Sequence, residues 1–176
     1  MLVEMLCFVA FELGMPRAEF ACEQMPYVAA AAKKYHVEPE VLVALIRYES
    51  RWNHRAVSRA GACGLTQVLP RYTRKPRRSC RQLKVPAISI YTGAKHLSKW
   101  IRKYGRGSVL KGLCGYNAGY TCGRRYNRRH RGWQYAKRVL KYARKIKKEI
   151  RKIKEKGYPL SNPEDFKTPD CQADGC

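Results

Sequence analysis

A mainly α-helical fold is predicted by three observations. Apolar residues recur at three- and four-residue intervals, prolines stand where first helical turns would begin, and no alternating run is long enough to demand a sheet. The 176 residues, 45% of them apolar, suffice for one compact domain with modest extensions. Extensive disorder is not expected across most of the chain despite its charge.

The first segment, residues 1–22, is leader-like. Met1 to Phe11 is apolar and ends near Pro16 and Ala18, as an export signal would, but Glu4 and Glu12 interrupt it. The positive start is missing and no small-x-small cleavage site precedes Cys22, so an ordinary apolar helix packed on the domain stands as the alternative. A helix is predicted from Pro26 through the Ala29 to Ala32 run, which has the highest intrinsic helix propensity, to Tyr35 or His36. Glu38 and Pro39 start a second helix, whose Val41 to Ile46 run is apolar nearly all round and therefore central.

Arg51 to Pro70, with Asn53, Ser58, Gly61 and Gly64, reads as irregular, with a short helical piece expected around Leu65 to Leu69. Arg71 to Pro86 is basic and proline-punctuated, a surface excursion. Helical spacing resumes at Ile88 and runs to Tyr104 through Ile90, Ala94, Leu97 and Ile101. Val109 to Ala118 is a short helix leading into the glycine-rich turn that ends at Gly123. Tyr135 to Lys156 is a long, very basic helix. The tail after Gly157 carries four negative charges and three prolines and reads as an extended appendix held by its own cysteines.

Thirty-seven Lys and Arg against 13 Asp and Glu give a net charge of +24, which the molecule cannot neutralise internally. Its partners should be polyanions: nucleic acid, anionic lipid, or an anionic wall or envelope polymer. In Arg124 to Lys156, 16 of 33 positions are basic, which fits a solvated helix face and a binding patch equally. The longest charge-free stretch, Gly112 to Gly123, is twelve residues, too short for a membrane anchor of about 20.

The eight cysteines contain no Cys-x-x-Cys spacing, so zinc ribbons are poor candidates. An oxidising compartment fits better, with reduced cytosolic thiols as the alternative; Cys114/Cys122 and Cys171/Cys176 are close candidate pairs, but connectivity is not legible. His36, His54, His96 and His130 lack ligand spacing, so neither metal nor cofactor is expected. Ser50 has no nucleophile elbow around it.

Between Glu49 and Glu149 there is no Asp or Glu at all. Glu49 follows Leu42 by seven residues, Leu45 by four and Ile46 by three, so it shares their apolar face. Burial there raises a carboxyl pKa and favours a general acid, while the cationic surroundings act oppositely. A structural pairing with Arg47 or Arg51 is the alternative.

Around Glu49-Ser50 the order of features is distinctive: Gly61-Ala62-Cys63-Gly64-Leu65-Thr66-Gln67 follows, then Tyr116-Asn117-Ala118-Gly119. Three blocks in this order, over about Met25 to Tyr142, resemble the Slt-type lytic transglycosylases of the lysozyme-like superfamily. The resemblance implies a lysozyme-like helical catalytic domain at 23–145, followed by a basic helix end and Cys-containing tail at 146–176. It implies cleavage of the bond between N-acetylmuramic acid and N-acetylglucosamine in peptidoglycan. The residue matching Glu49 would first protonate the glycosidic oxygen. It would then act as base while the muramic acid's own hydroxymethyl oxygen closes a 1,6-anhydro ring. The shortage of carboxylates agrees with such a one-carboxylate scheme, since ordinary glycosidases use two.

Ser50, Gln67, Tyr116, Asn117 and Tyr135 are the implied substrate-binding residues. Gln67 could bond sugar hydroxyl or acetamido groups, and Tyr116 and Asn117 offer a ring, a hydroxyl and an amide. Taken singly, Tyr116 and Tyr135 fit core tyrosines and Gln67 fits a capping group. The chain departs from the family in having Thr66 for Met, Gly115 for Ala, and Arg131-Gly132 for a Glu-Thr pair ahead of the late tyrosine. A Cys63/Cys80 bridge would tie the Gly61 to Gly64 turn to the basic excursion and Cys114/Cys122 would staple the Tyr116 to Gly119 loop, and such bridges would rigidify the cleft.

The expected partners are peptidoglycan glycan strands and anionic wall or envelope polymers, with nucleic acid bound only non-specifically, in a protein exported or phage-delivered to the wall. A hydrolytic muramidase of the same fold is a second reading. It wants an acidic partner near Glu49, and Glu38 and Glu40 lie at the far end of the helix, roughly 13 Å or more away. A basic helical nucleic-acid-binding protein using Arg124 to Lys156 is the third.

Overall fold

The computed structural model describes residues 1–123 and 130–156. The tail with Cys171 and Cys176, and part of the basic run, lie outside them. Helix α1 (Leu2–Glu12) and helix α2 (Ala18–Glu23) are tied by a Cys7–Cys22 disulfide. Leu6, Val9 and Ala10 are buried and α1 packs on α3 (Met25–Tyr35) and on the last helix. The leader-like segment is thus folded into the domain core.

Helix α4 (Pro39–Ser50) begins with its proline in the first turn, where a missing N–H costs nothing. Val41 to Ile46 are all buried, so this is the central helix, packed on α3 and on the last helix, α8 (Arg131–Glu155). It ends because Arg51 and Trp52 are both left-handed, with φ of 53° and 62°, which turns the chain sharply after Glu49-Ser50. The buried Trp52 side chain anchors that turn.

The next segment is irregular, held by isolated bridges of Cys63 to Val57 and to Val68. The short helix expected around Leu65 to Leu69 does not form. Gly64 and Gln67 have φ of 75° and 49°, which a right-handed helix cannot hold. Gly64 admits no side chain, since a Cβ would lie 1.8 Å from the Leu83 carbonyl oxygen. Cys63–Cys80 ties the segment to α5 (Cys80–Leu83), which has a Ser79/Gln82 capping box and sits inside the largely exposed excursion.

Helix α6 (Pro86–Lys99) runs into a π-helical turn at Trp100–Tyr104. Helix α7 (Val109–Ala118) leads to a 3₁₀ turn at Gly119–Gly123. Helix α8 (Arg131–Glu155) begins a turn earlier than its apolar spacing predicts, with the His130 side chain accepting from the Gly132 N–H. Its face from Trp133 through Tyr135, Val139, Tyr142, Ile146 and Ile150 to Ile153 is buried without a break at residue 145. The opposite face is exposed Lys and Arg, tempered by pairs such as Lys147–Glu38 at 3.2 Å. Among the described residues no strand forms beyond the isolated bridges, and no helix is long and apolar enough to cross a membrane.

Candidate active site

Glu49 occupies the last turn of α4, where the α4–α8 packing brings it against Tyr135. The Tyr135 hydroxyl donates to Oε1 of Glu49 at 2.5 Å. Glu49 is half-buried, and desolvation raises its pKa to about 7, the hydrogen bond from Tyr135 acting in the opposite direction. Neither influence comes from a carboxylate. Among the described residues Glu49 forms no ion pair: the Arg47 guanidinium instead lies over the Tyr142 ring, 4.2 Å from its centre. The alternative of a structural Glu49–Arg47 pair is therefore not what the fold contains.

Tyr116 completes the cluster. Its hydroxyl donates to the Thr66 carbonyl oxygen at 2.7 Å, joining α7 to the Gly61–Gln67 loop. Thr66 is itself fixed, donating from its hydroxyl to the Ser89 carbonyl oxygen at 2.8 Å and from its N–H to Ser89 Oγ at 3.2 Å. Gly93 makes room for it, since a Cβ there would lie 2.4 Å from the Thr66 side chain. The Tyr116 and Tyr135 hydroxyls have pKa values pushed well up, by burial first and by the Glu49 charge second, so both stay protonated donors.

The other predicted residues are placed differently. Gln67 donates from Nε2 to the Gly64 and Ala56 carbonyl oxygens at 2.9 and 3.2 Å, closing its own loop. Ser50 is buried and donates to the Ile46 carbonyl oxygen at 3.3 Å, inside α4. Asn117 is exposed at the end of α7. The fold thus gathers Glu49, Tyr135 and Tyr116, commits the donors of Gln67 and Ser50 locally, and leaves Asn117 facing solvent.

Two departures from the family pattern have steric explanations. A Cβ on Gly132 would stand 2.9 Å from Cys122 Sγ and 3.1 Å from Cys114 Sγ. Together with the Ala118 Cβ, 2.8 Å away, the Cys114–Cys122 disulfide therefore fills the space of the usual threonine side chain, one helical turn before Tyr135. At Gly115 a Cβ would meet the Trp100 ring at 2.4 Å, so an alanine there is incompatible with this tryptophan position. The sequence reading missed Thr66 as the partner of Tyr116, and missed Trp100; the glycine in place of alanine was the available signal for the second.

Cys114, Cys122 and His130 bring ligand-type atoms within 4.8 Å of one another, but both sulfurs are spent in the disulfide. A cavity of about 640 Å³ lies between α1–α2 and the Trp52–Arg55 turn, and includes none of the six predicted site residues.

Residues 26–139 match the family described as Transglycosylase SLT domain. A membrane-bound lytic murein transglycosylase C of Actinobacillus pleuropneumoniae is 38% identical over 65 residues, 36% of this chain and 18% of that protein. A transglycosylase of Enterobacteria phage PRD1 is 30% identical over 97 residues, 52% of this chain and 33% of its own length. The chain thus spans a third or less of the curated relatives it matches. Among solved structures, the lytic transglycosylase Slt of Pseudomonas aeruginosa superposes with a TM-score of 0.63 at 22% identity, over 82% of this chain and 30% of that one. The 70 kDa soluble lytic transglycosylase of Escherichia coli gives 0.62 at 19%, over 81% and 29%. These two likenesses establish the helical lysozyme-like fold, and the family match, which extends over more than half of the residues, establishes that the chain belongs to the transglycosylase SLT domain family.

Proposed function

We propose that this protein is a peptidoglycan lytic transglycosylase in which Glu49 acts alone, first as acid and then as base. The observation that carries the proposal is the Glu49 carboxyl, half-buried, with its pKa at about 7 and bonded to the Tyr135 hydroxyl. Such a group is largely protonated at mildly acidic pH and still releases its proton readily, as an acid that must later serve as base requires.

In the first step Glu49 gives its proton to the oxygen linking N-acetylmuramic acid to N-acetylglucosamine, and the bond from that oxygen to the muramic C1 breaks. In the second, the carboxylate takes the proton of the muramic C6 hydroxyl as that oxygen bonds to C1. Glu49 ends protonated and no water is consumed. Tyr135 holds Oε1 throughout, leaving Oε2 to exchange the proton, and Tyr116 fixes the Thr66 loop across the cleft. Ser50, Gln67 and Asn117 are proposed to line the sugar site. Only Oε1 of Gln67 is left for substrate, because its nitrogen is engaged.

Among the described residues no carboxylate acts on Glu49, which favours this route over hydrolysis, where a second carboxylate would activate water. The exposed basic face of α8 is proposed to hold the enzyme on anionic wall or envelope polymers, in a protein exported or phage-delivered to the wall.

The test is incubation with peptidoglycan and mass spectrometry of the soluble products. Anhydro-muramic ends from the wild type and none from Glu49→Gln are expected. Reducing ends would replace the transglycosylase with a muramidase, and no release from several wall types, with tight salt-sensitive nucleic-acid binding, would replace both.

A further inference from the structure

Trp100, Tyr104 and Tyr120 form a cluster that the catalytic scheme does not use. Their ring centroids are 4.5, 5.3 and 5.0 Å apart, and the Tyr104 and Tyr120 hydroxyls are hydrogen-bonded at 2.8 Å. Rings this close would ordinarily be core, yet Tyr104 is 40% and Tyr120 69% exposed. The exposure is built in. The π-helical turn of Trp100–Tyr104 sets two of the rings side by side, and such turns are frequent at functional sites. Gly115 admits the Trp100 ring against the α7 backbone, and the Cys114–Cys122 bridge closes the turn that carries Tyr120.

We propose that these three residues form an accessory subsite for a pyranose ring of the glycan strand, beside the catalytic centre. The inference rests on the transglycosylase reading for the identity of the strand. Gly115, against which Trp100 packs, directly precedes Tyr116, so the aromatic surface and the catalytic cluster share one stretch of α7. Successive residues diverge by about 100° around a helix, which puts the subsite alongside the reacting bond and not at it. The Tyr104 and Tyr120 rings are nearly perpendicular, at 85°, and make a corner with hydroxyls at its rim. A pyranose fits such a corner through its C–H face against one ring and its hydroxyls along the rim. Rigid aromatic side chains supply this contact area at little entropic cost. Lys99 and Lys103 act electrostatically on Tyr120, which suits the carboxylates that muramic acid and its stem peptides carry.

Of the three tryptophans, Trp52 and Trp133 are 0% and 4% exposed, so a change in intrinsic fluorescence on ligand addition reports Trp100. Titration of Glu49→Gln with a β-1,4-linked N-acetylglucosamine hexamer is expected to give a saturable change, lost in Glu49→Gln/Trp100→Phe. In Glu49→Gln/Tyr120→Ala the affinity should fall about tenfold, the equivalent of one lost ring contact. In the otherwise unaltered protein, Tyr120→Ala should raise KM for long peptidoglycan fragments about tenfold, with most of the loss in KM and little in kcat. The unfolding midpoint of Tyr120→Ala serves as the folding control, and the exposed site predicts little change.

Equal hexamer affinity with and without Tyr120 overturns the subsite, and so does a Trp100 response to an oligo(dT) strand that the hexamer does not produce. The two proposals separate cleanly. Anhydro ends released with a flat titration retain the transglycosylase and remove the subsite. Tyr120-dependent hexamer binding without any wall cleavage retains the glycan subsite and removes the reaction.

Discussion

The Tyr135 hydroxyl reaches across 86 residues of sequence to donate a 2.5 Å hydrogen bond to Glu49 Oε1. The bond stabilises the ionised carboxylate, while burial, the larger influence, stabilises the protonated acid. Their balance leaves a group whose proton is exchangeable near neutrality.

Replacing that group should stop the reaction. Glu49→Gln keeps shape and hydrogen-bonding capacity but cannot transfer a proton, so product release should fall by at least about 10²–10⁴-fold. Mass spectrometry of released muropeptides checks this, with circular dichroism showing the fold retained.

Tyr135→Phe should change the pH profile as well as the rate. On the proposed mechanism activity requires protonated Glu49, so it should decline as pH rises through about 7 in the wild type. Removing a bond that lowers the Glu49 pKa moves this declining limb to higher pH. The lost charge-assisted bond should also cost about 10- to 100-fold in rate. A profile of unchanged position would deny Tyr135 its influence on the carboxyl.

The same carboxyl should make stability pH-dependent. Its folded pKa is raised from 4.5 to about 7, so between these values the folded state binds more protons than the unfolded state. Stability should therefore fall as pH rises through this window, and the contribution is gone above the folded pKa. Glu49→Gln should flatten that slope and exceed the wild type at pH 8 by up to about 3 kcal/mol. Urea unfolding of both proteins at pH 4 and pH 8 measures it.

Gly115→Ala should destabilise by about 1–3 kcal/mol, because its Cβ would stand 2.4 Å from the Trp100 ring. In a Trp100→Leu background the same substitution should cost much less. Thermal unfolding of the four proteins of this double-mutant cycle gives the coupling directly.

Reduction of the disulfides should weaken both the fold and the site. Cys63–Cys80 and Cys114–Cys122 span 17 and 8 residues, and chain-entropy estimates give each about 2–3 kcal/mol. Non-reducing peptide mapping should recover both pairs. A Cys114→Ser/Cys122→Ser variant should melt earlier and lose activity, because the bridge packs on Gly132 one turn before Tyr135. Free thiols in the oxidised protein would remove this account.

Local sequence determined the helices that depend on local signals. Pro39 and the unbroken apolar run Val41 to Ile46 suffice to place a central helix, and the i, i+3, i+4 spacing from Tyr135 to Ile153 suffices for α8. Glu49 was legible too, because it lies on that apolar face and because none of the 99 residues that follow it is Asp or Glu. The Leu65 to Leu69 piece misled because Gly64 and Gln67 have positive φ, and one of the two carbonyls that Gln67 caps, that of Ala56, comes from eleven residues away.

Tertiary structure alone decided the partnerships. Which tyrosine meets Glu49, which carbonyl Tyr116 holds, and which helices the apolar N-terminal helix packs against all depend on pairs far apart in sequence. Composition and periodicity are blind to such pairs. Gly132 and Gly115 read as local departures from a pattern, yet the one leaves room for Ala118 and a disulfide and the other for an indole ring packed against it. A glycine in the sequence marks a space, and only the packed chain says which side chain occupies it.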